Sequence, residues 1–241
     1  MAFYVTQCEG SGNLSFLLEF LLPEYARCLG GDVFYGIDCT VYNDLTAEAP
    51  RFFYGPPAAI RLQLLDGLTY WAPAIYQLTH ELFHLAVYCR NGWGRVAYWL
   101  EEPLAEAVSF YFLDYAASNW SSCVLSMINS SFASNIRAFL DDLLDESQRT
   151  ATGGLASAST PAALVAYERA GYHTTAREGH ARERLALYRA IREAPHELRY
   201  LLDYPRYLAA DGVTLRSGDL YRAAPCSVVG ALAAVSPVKY P

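Results

Sequence analysis

Basic clusters and long apolar runs are both missing from this chain. Lysine is nearly absent, with Lys239 the single example, and the formal net charge is −7. A nucleic-acid surface depends on a basic patch, so we expect no nucleic-acid partner. No apolar run reaches the ~18 residues that a spanning helix needs, so we also expect no membrane span.

Closely spaced cysteines are missing as well, which argues against a zinc knuckle and a thioredoxin-like site. The chain is long and cysteine-poor for a disulfide scaffold, so buried free thiols are expected. A signal peptide is not predicted, because the N-terminus has no basic region and Glu19 interrupts its apolar run. The expected location is therefore the cytoplasm. The six cysteines are Cys8, Cys28, Cys39, Cys89, Cys123 and Cys226.

Apolar residues are abundant, at 53% of the chain, so a substantial core can form. Extended, β-branched and aromatic segments occur early, and helical patterns dominate from about residue 73 onward. This order predicts an α+β fold with a small N-terminal sheet followed by helices. The predicted extended segments are 32–42, 51–54 and about 59–65, and the predicted helices are 13–29, about 73–90, 101–117, 121–147, 161–170, 175–193 and 196–209.

The segment YQLTHELFHLAVY, residues 76–88, places ionisable side chains in an otherwise apolar helix. His80 and His84 are four residues apart, so they share a helix face about 6 Å apart and can bind one ion. Glu81 lies beside that face, where it can reach a water rather than the metal. This is the H-E-x-x-H arrangement of zinc hydrolases, with the glutamate as general base. Packing of core histidines is the simpler alternative.

A catalytic zinc ion requires a third protein ligand besides two histidines, and leaves one position open. The segment WLEEPLAEAVSF, residues 99–110, follows after one short loop and carries Glu101, Glu102 and Glu106. Glu102 and Glu106 are also four apart and share a face. The alternative is a solvated acidic helix start, where glutamates interact favourably with the helix dipole.

Together the two segments resemble the gluzincin metallopeptidases, which pair H-E-x-x-H with a glutamate near the start of a second helix. The second motif of that family commonly reads tryptophan, apolar, asparagine, glutamate, glycine, apolar, alanine, acid. The resemblance implies that Glu102 is the third zinc ligand and that Glu106 accepts the ring N–H of a ligand histidine. Glu101 and Pro103 depart from the pattern, at its asparagine and glycine positions.

The resemblance spans residues 76 to about 112, roughly a sixth of the chain. The same motifs are similar to those of a group of bacterial proteins with peptidase signatures. The implied function is zinc-dependent hydrolysis of a peptide bond in a peptide or protein substrate. In zincins an extended substrate lies along an edge strand, and residues 59–65 are the expected strand. Candidates for a second oxyanion donor are Tyr167, Tyr172, His173 and His180.

The implied architecture is a single zincin-like domain. It would comprise the N-terminal sheet with the active helices, about 1–118, and a helical part, about 119–241. Three alternatives stay open: a zincin-scaffold module that binds zinc or regulates without proteolysis, an intracellular protease similar to a second short H-E-x-x-H family that cuts a repressor, and a metal-free helical interaction protein. The chain shows no helix-turn-helix to support the second.

Overall fold

The protein has an α+β fold with one small sheet in the residues that its structure, a computed structural model, describes. Among the helices of the described residues, none combines the length and apolar character that crossing a bilayer requires. The described residues are 2–6, 11–31, 33–65, 69–92, 94, 96–150, 154–171 and 180–239.

One helix lies between the first and second of the four strands, and the other helices follow the fourth strand. The strands are β1 (Ala2–Val5), β2 (Asp38–Asn43), β3 (Arg51–Phe53) and β4 (Ala58–Leu62). The α-helices are α1 (Ser11–Leu29), α2 (Trp71–Asn91), α3 (Tyr98–Asn119), α4 (Phe132–Thr150), α5 (Pro161–Gly171), α6 (Ala181–Glu193), α7 (Ser217–Ala223) and α8 (Ser227–Val235). Short 3-10 segments cover Trp120–Ser122, Val124–Met127, Gly154–Ser157 and Pro195–Tyr207.

The sheet has the strand order β1-β2-β4-β3. Strand β2 pairs in parallel with β1 and β4, whereas β3 pairs antiparallel with β4. The expectation that residues 59–65 form an edge strand is therefore wrong, because β4 is hydrogen-bonded on both sides. Its alternating burial is the same as that of an edge strand packed on one face, so the sequence pattern could not reveal its partners.

The helix α2 is buried nearly all round, as its apolar circumference predicts. Fourteen of its 21 residues are buried, including the polar side chains of Thr79, His80 and Glu81. The helix α3 starts at Tyr98, three residues before the predicted start, so Pro103 lies beyond the first turn. A capping side chain from a distant part of the chain supports this earlier start, and it is described with the site below.

The described chain forms two compact units, residues 1–89 with 108–142 and residues 90–107 with 143–241. Each unit is built from two separate segments of sequence. The first contains the sheet, α1 and most of α2. Its core is rich in rings: Tyr25 stacks on Phe112 with ring centroids 4.1 Å apart, and Trp71 lies 4.7 Å from Phe132.

The second unit is helical, with α6 packed on α8 and on the 3-10 segment Pro195–Tyr207. Its two short C-terminal helices, α7 and α8, were not predicted, nor was the four-residue strand β1. The predicted helix 121–147 is two 3-10 turns followed by α4, and residues 175–179 of another predicted helix lie outside the described residues. The single-domain organisation with a boundary near residue 118 stays a prediction.

Candidate metal centre

The two histidines of the H-E-x-x-H segment lie on one face of α2, as their spacing predicts. Their ring centroids are 4.9 Å apart. His80 and Glu81 are buried, each with 4% of its surface exposed, whereas His84 is half-buried. The pair is therefore reachable from the His84 side.

Directional bonds fix α2 in its unit at the turn that precedes His80. The Tyr25 hydroxyl donates to the carbonyl of Thr79, and the Thr79 hydroxyl donates to the carbonyl of Ile75 at 2.7 Å. The side-chain amide of Gln77 accepts from the N–H of Gln63 and donates to its carbonyl, both at 2.8 Å. The bonds to Tyr25 and Gln63 restrain the rotation of α2 about its axis, whereas the Thr79–Ile75 bond lies within the helix.

Glu102 meets the two histidines. One ligand atom from each of His80, His84 and Glu102 lies within 4.8 Å of the other two, so the group could hold a metal ion. Tetrahedral zinc with ligands at about 2.1 Å separates two ligand atoms by about 3.4 Å, so small side-chain adjustments would close the site. The structure thus brings together the three residues that the sequence predicts as metal ligands.

The N-terminus of α3 is capped by a side chain that sequence reasoning missed. The Glu168 carboxylate of α5 accepts from the backbone N–H groups of Tyr98 at 2.6 Å and Trp99 at 2.9 Å. Burial raises the pKa of Glu168, although the two N–H groups oppose this shift. The cap satisfies donors that a helix start otherwise leaves open. No local sequence motif predicts this cap, because Glu168 lies 70 residues from Tyr98.

Two further bonds hold the first turn of α3 around Glu102. The Trp99 indole N–H donates to the carbonyl of Val213 at 2.9 Å, and the Tyr204 hydroxyl donates to the buried carboxylate of Glu101. Glu101 occupies the asparagine position of the family motif, and here it anchors the helix to the 3-10 segment. The carboxylate of Glu101 is therefore buried, although it directly precedes Glu102 in the chain.

Glu106, one turn after Glu102, accepts from the Arg184 guanidinium of α6 at 2.6 Å. Both side chains are buried, with 3% and 7% exposed, respectively. Arg184 also donates from Nε to the hydroxyl of Ser147 at 2.8 Å. The predicted bond from Glu106 to a ligand histidine stays a prediction, and Arg184 is a partner that the sequence did not reveal.

The suggested oxyanion donors have different positions. Tyr167 is half-buried, and its ring lies edge-on to the ring of His180 at 5.7 Å between centroids. Tyr172 and His173 lie outside the described residues. Burial lowers the pKa of His180 to about 4, the charge of Glu102 opposes that shift, and Arg184 adds to it. His180 is therefore neutral at pH 7 and within electrostatic reach of Glu102.

Cysteine thiolates are not part of the metal centre. The five cysteines in the described ranges are free thiols, but only Cys28, Cys39 and Cys123 are buried as expected, since Cys89 and Cys226 are half-buried. Cys8 lies outside those ranges. Burial raises the pKa of Cys28 and of Cys39 to about 12. A thiol with such a pKa stays protonated at pH 7, which leaves imidazole and carboxylate groups as the ligands on offer.

Comparisons of the chain with protein-family models, with curated proteins and with solved structures found no match. The chemistry of the site is therefore argued from its geometry. Two imidazoles from successive turns of α2 and one carboxylate from α3 form a mixed nitrogen and oxygen donor set. Such a set suits zinc and other divalent transition metals better than calcium or magnesium, which prefer oxygen alone.

Proposed function

We propose that this protein is a zinc-dependent metallopeptidase of the gluzincin type on a zincin-like fold. His80, His84 and Glu102 bind zinc, and Glu81 is the general base. The observation that supports the proposal is the convergence of the three ligand atoms within 4.8 Å. The proposal includes a peptide or protein substrate and the cytoplasmic location that the sequence predicts.

The residues fit a catalytic zinc better than a structural one. Structural sites have four protein ligands, whereas catalytic sites have three and an open position. His80 is buried, while His84 and Glu102 are half-buried, so the open position would face the accessible side of the group. Burying imidazole and carboxylate groups is costly unless they are hydrogen-bonded or metal-bound. Two neutral imidazoles and one carboxylate leave part of the zinc charge available to act on a substrate.

Bound zinc would polarise the scissile carbonyl and lower the pKa of a bound water to near 7. Glu81 then accepts a proton from the attacking water and delivers it to the leaving amine. Its position directly after His80 places the carboxylate beside the ligand face rather than on it. Its burial, with 4% exposed, excludes bulk water from the proton transfer.

His180 is the better candidate for a second oxyanion donor than Tyr167. Its neutral imidazole carries one ring N–H, and it lies within electrostatic reach of the ligand Glu102. A preorganised donor in a dry site stabilises developing negative charge without reorganisation. Tyr167 contacts the His180 ring and supports its orientation in this scheme.

The substrate strand in this proposal is β3 rather than β4. Among the described residues β3 pairs only with β4, so its other edge is open for an extended peptide. The ring of Phe52 in β3 and that of Tyr54, the residue after this strand, lie near α2, with centroids 5.9 Å and 5.2 Å from that of Tyr88. Tyr88 follows His84 by one helical turn.

Metal analysis combined with two variants tests the proposal. Purified protein should contain about one zinc per chain. Glu81→Gln should retain zinc and lose hydrolysis of an unfolded casein substrate by a factor of about 10² or more, because the general base is absent. His84→Ala should lose both zinc and hydrolysis. The exposed His196 provides the matched control, since His196→Ala should retain both.

Three results would contradict the proposal. Hydrolysis retained in Glu81→Gln would exclude Glu81 as the base. Zinc bound by the wild type without cleavage in a broad peptide library would favour the non-proteolytic zinc module. No zinc in the wild type would leave the buried histidines with a packing role alone.

A further inference from the structure

Two arginines lie opposite each other on the strand pair β3–β4, and the free edge of β3 is the one that the proposed substrate would use. In the antiparallel pairing of β3 with β4, Arg51 lies directly opposite Arg61. Both guanidinium groups lie over the ring of Phe53, with the Cζ atoms of Arg51 and Arg61 5.7 Å and 5.3 Å from its centroid. Two cations and one ring therefore form a single cluster on one face of the strand pair.

The two guanidinium groups of this cluster have no ion-pair partner among the described residues. Among the described residues, no carboxylate lies within 4.0 Å of either guanidinium. Arg61 donates from Nη2 to the carbonyl of Ala49 at 3.2 Å, and its buried Nε has no hydrogen-bond partner in these ranges. Like charges at opposed strand positions are unfavourable. A bound anion would relieve that repulsion.

Asp44 is the acidic group whose charge interacts with that of Arg61: hydrogen bonds from Thr46 lower the pKa of its carboxyl most, and Arg61 adds to the shift without forming an ion pair within 4.0 Å. The Asp44 carboxylate accepts from the N–H of Thr46 at 2.9 Å and from its hydroxyl at 2.7 Å. The arginine pair is thus available to an anionic group from outside the chain.

Strand alternation decides which part of a bound peptide the arginines meet. Arg51 and Phe53 face one side of β3, while Phe52 and Tyr54 face the other side, toward Tyr88 of α2. A peptide paired with the free edge of β3 alternates in the same way. Every second side chain of that peptide would therefore lie on the face of Arg51, with Arg61 one strand further from the peptide.

We propose that Arg51 and Arg61 bind carboxylate side chains at alternate positions of an extended acidic peptide, the substrate class of this protein. The inference rests on the proposed function, because it takes the peptide paired with β3 to be the substrate. The open main-chain edge favours a polypeptide over a nucleic acid. Two arginines on a chain of net charge −7 are also too few to bind a phosphate backbone.

A glutamate scan tests the inference. One glutamate is moved through every position of a neutral, fluorescently labelled ten-residue peptide, and binding to zinc-loaded Glu81→Gln protein is measured by anisotropy. Affinity should rise and fall with a period of two residues, with about five-fold tighter binding at the favoured positions. A shift by one residue moves the carboxylate to the other face, which explains the alternation.

Adding Arg51→Gln to that protein should abolish the alternation. Arg51 is exposed, so the substitution leaves the core intact. The matched control is Arg199→Gln, because Arg199 is also an exposed arginine over an aromatic ring, 5.3 Å from the centroid of Tyr200. This control should retain the alternation. Raising the salt concentration should weaken it in both proteins that show it.

The outcomes separate the inference from the proposed function. A flat scan, absence of peptide binding, or alternation that survives Arg51→Gln would overturn the inference. If the wild type still cleaves the peptides in that case, the proposed function stands. Alternation that depends on Arg51 together with absence of wild-type cleavage would support the acidic-peptide site and contradict the peptidase.

Discussion

Arg184 and the Arg51–Arg61 pair show opposite solutions for arginine in the same chain. Arg184 is buried, and its guanidinium is bonded to the Glu106 carboxylate at 2.6 Å and to the Ser147 hydroxyl at 2.8 Å. Arg51 is exposed on the edge strand β3, and the half-buried Arg61 lies opposite it on β4, with both guanidinium groups over one ring. One arrangement neutralises charge inside a unit, and the other concentrates charge where solvent and ligands can reach it.

The difference indicates which arginines serve structure. A buried cation needs a partner, and removing that partner is costly, so the Arg184 pair holds α3 and α6 in their unit. Like charges at opposed strand positions lower stability slightly. The presence of such a pair next to an open strand edge therefore requires another explanation, which ligand binding provides.

Replacing Arg184 should have the largest effect on stability. Arg184→Met leaves the buried Glu106 carboxylate without its cation and should lower the free energy of unfolding by about 3–5 kcal/mol. Urea unfolding followed by circular dichroism measures the change. The double variant Arg184→Met with Glu106→Leu should recover most of the loss, because an apolar pair replaces both charges. A single variant as stable as the wild type would show that the pair is dispensable.

Weakening the cap of α3 should have an intermediate effect. Glu168→Gln keeps the shape of the side chain but replaces two charged acceptor contacts, to Tyr98 and Trp99, with at most one neutral contact. The free energy of unfolding should fall by about 1 kcal/mol. The same urea titration detects it, with Glu19→Gln in α1 as an exposed control. An unchanged midpoint for Glu168→Gln would mean that water replaces the cap at no cost.

Replacing Arg51 should have the smallest effect. In Arg51→Gln the lost attraction to the Phe53 ring and the relieved repulsion from Arg61 oppose each other, so the free energy of unfolding should change by less than about 0.5 kcal/mol. The variant should gain relative to the wild type as salt is lowered, because screening no longer weakens the repulsion. A loss above 1 kcal/mol would assign Arg51 a structural role and weaken the contrast with Arg184.

The sequence predicted the parts of the site that local periodicity controls. The positions of His80, Glu81 and His84 follow from helix geometry once α2 is recognised by its apolar circumference. The prediction that Glu102 lies close to them came from the resemblance of the two segments to the gluzincin motifs. In the structure one potential ligand atom from each of the three residues lies within 4.8 Å of the others. Glu168 and Arg184 could not be predicted, because they reach α3 from 69 to 78 residues away without a local pattern.

The sheet was predicted less well than the helices. Alternating burial marks β4 as a strand, but it does not say which strands lie beside it, so the interior position of β4 was missed. The strand β1 has only four residues and pairs in parallel with β2, so its sequence contains no hairpin turn from which the strand could be predicted. The earlier start of α3 at Tyr98 depends on Glu168 and not on the sequence around it.

The paired bonds between Gln63 and Gln77 have a consequence for any redesign of this scaffold. The chain leaves β4 at Leu62, and the Gln77 amide then takes the role of one more hydrogen-bonding strand residue for Gln63. The segment that follows β4 thereby restrains the rotation of α2 about its axis, and with it the face of the helix on which the imidazoles lie. If α2 were transplanted without a backbone partner for Gln77, the histidines would be transferred, but the orientation of their side chains would no longer be restrained.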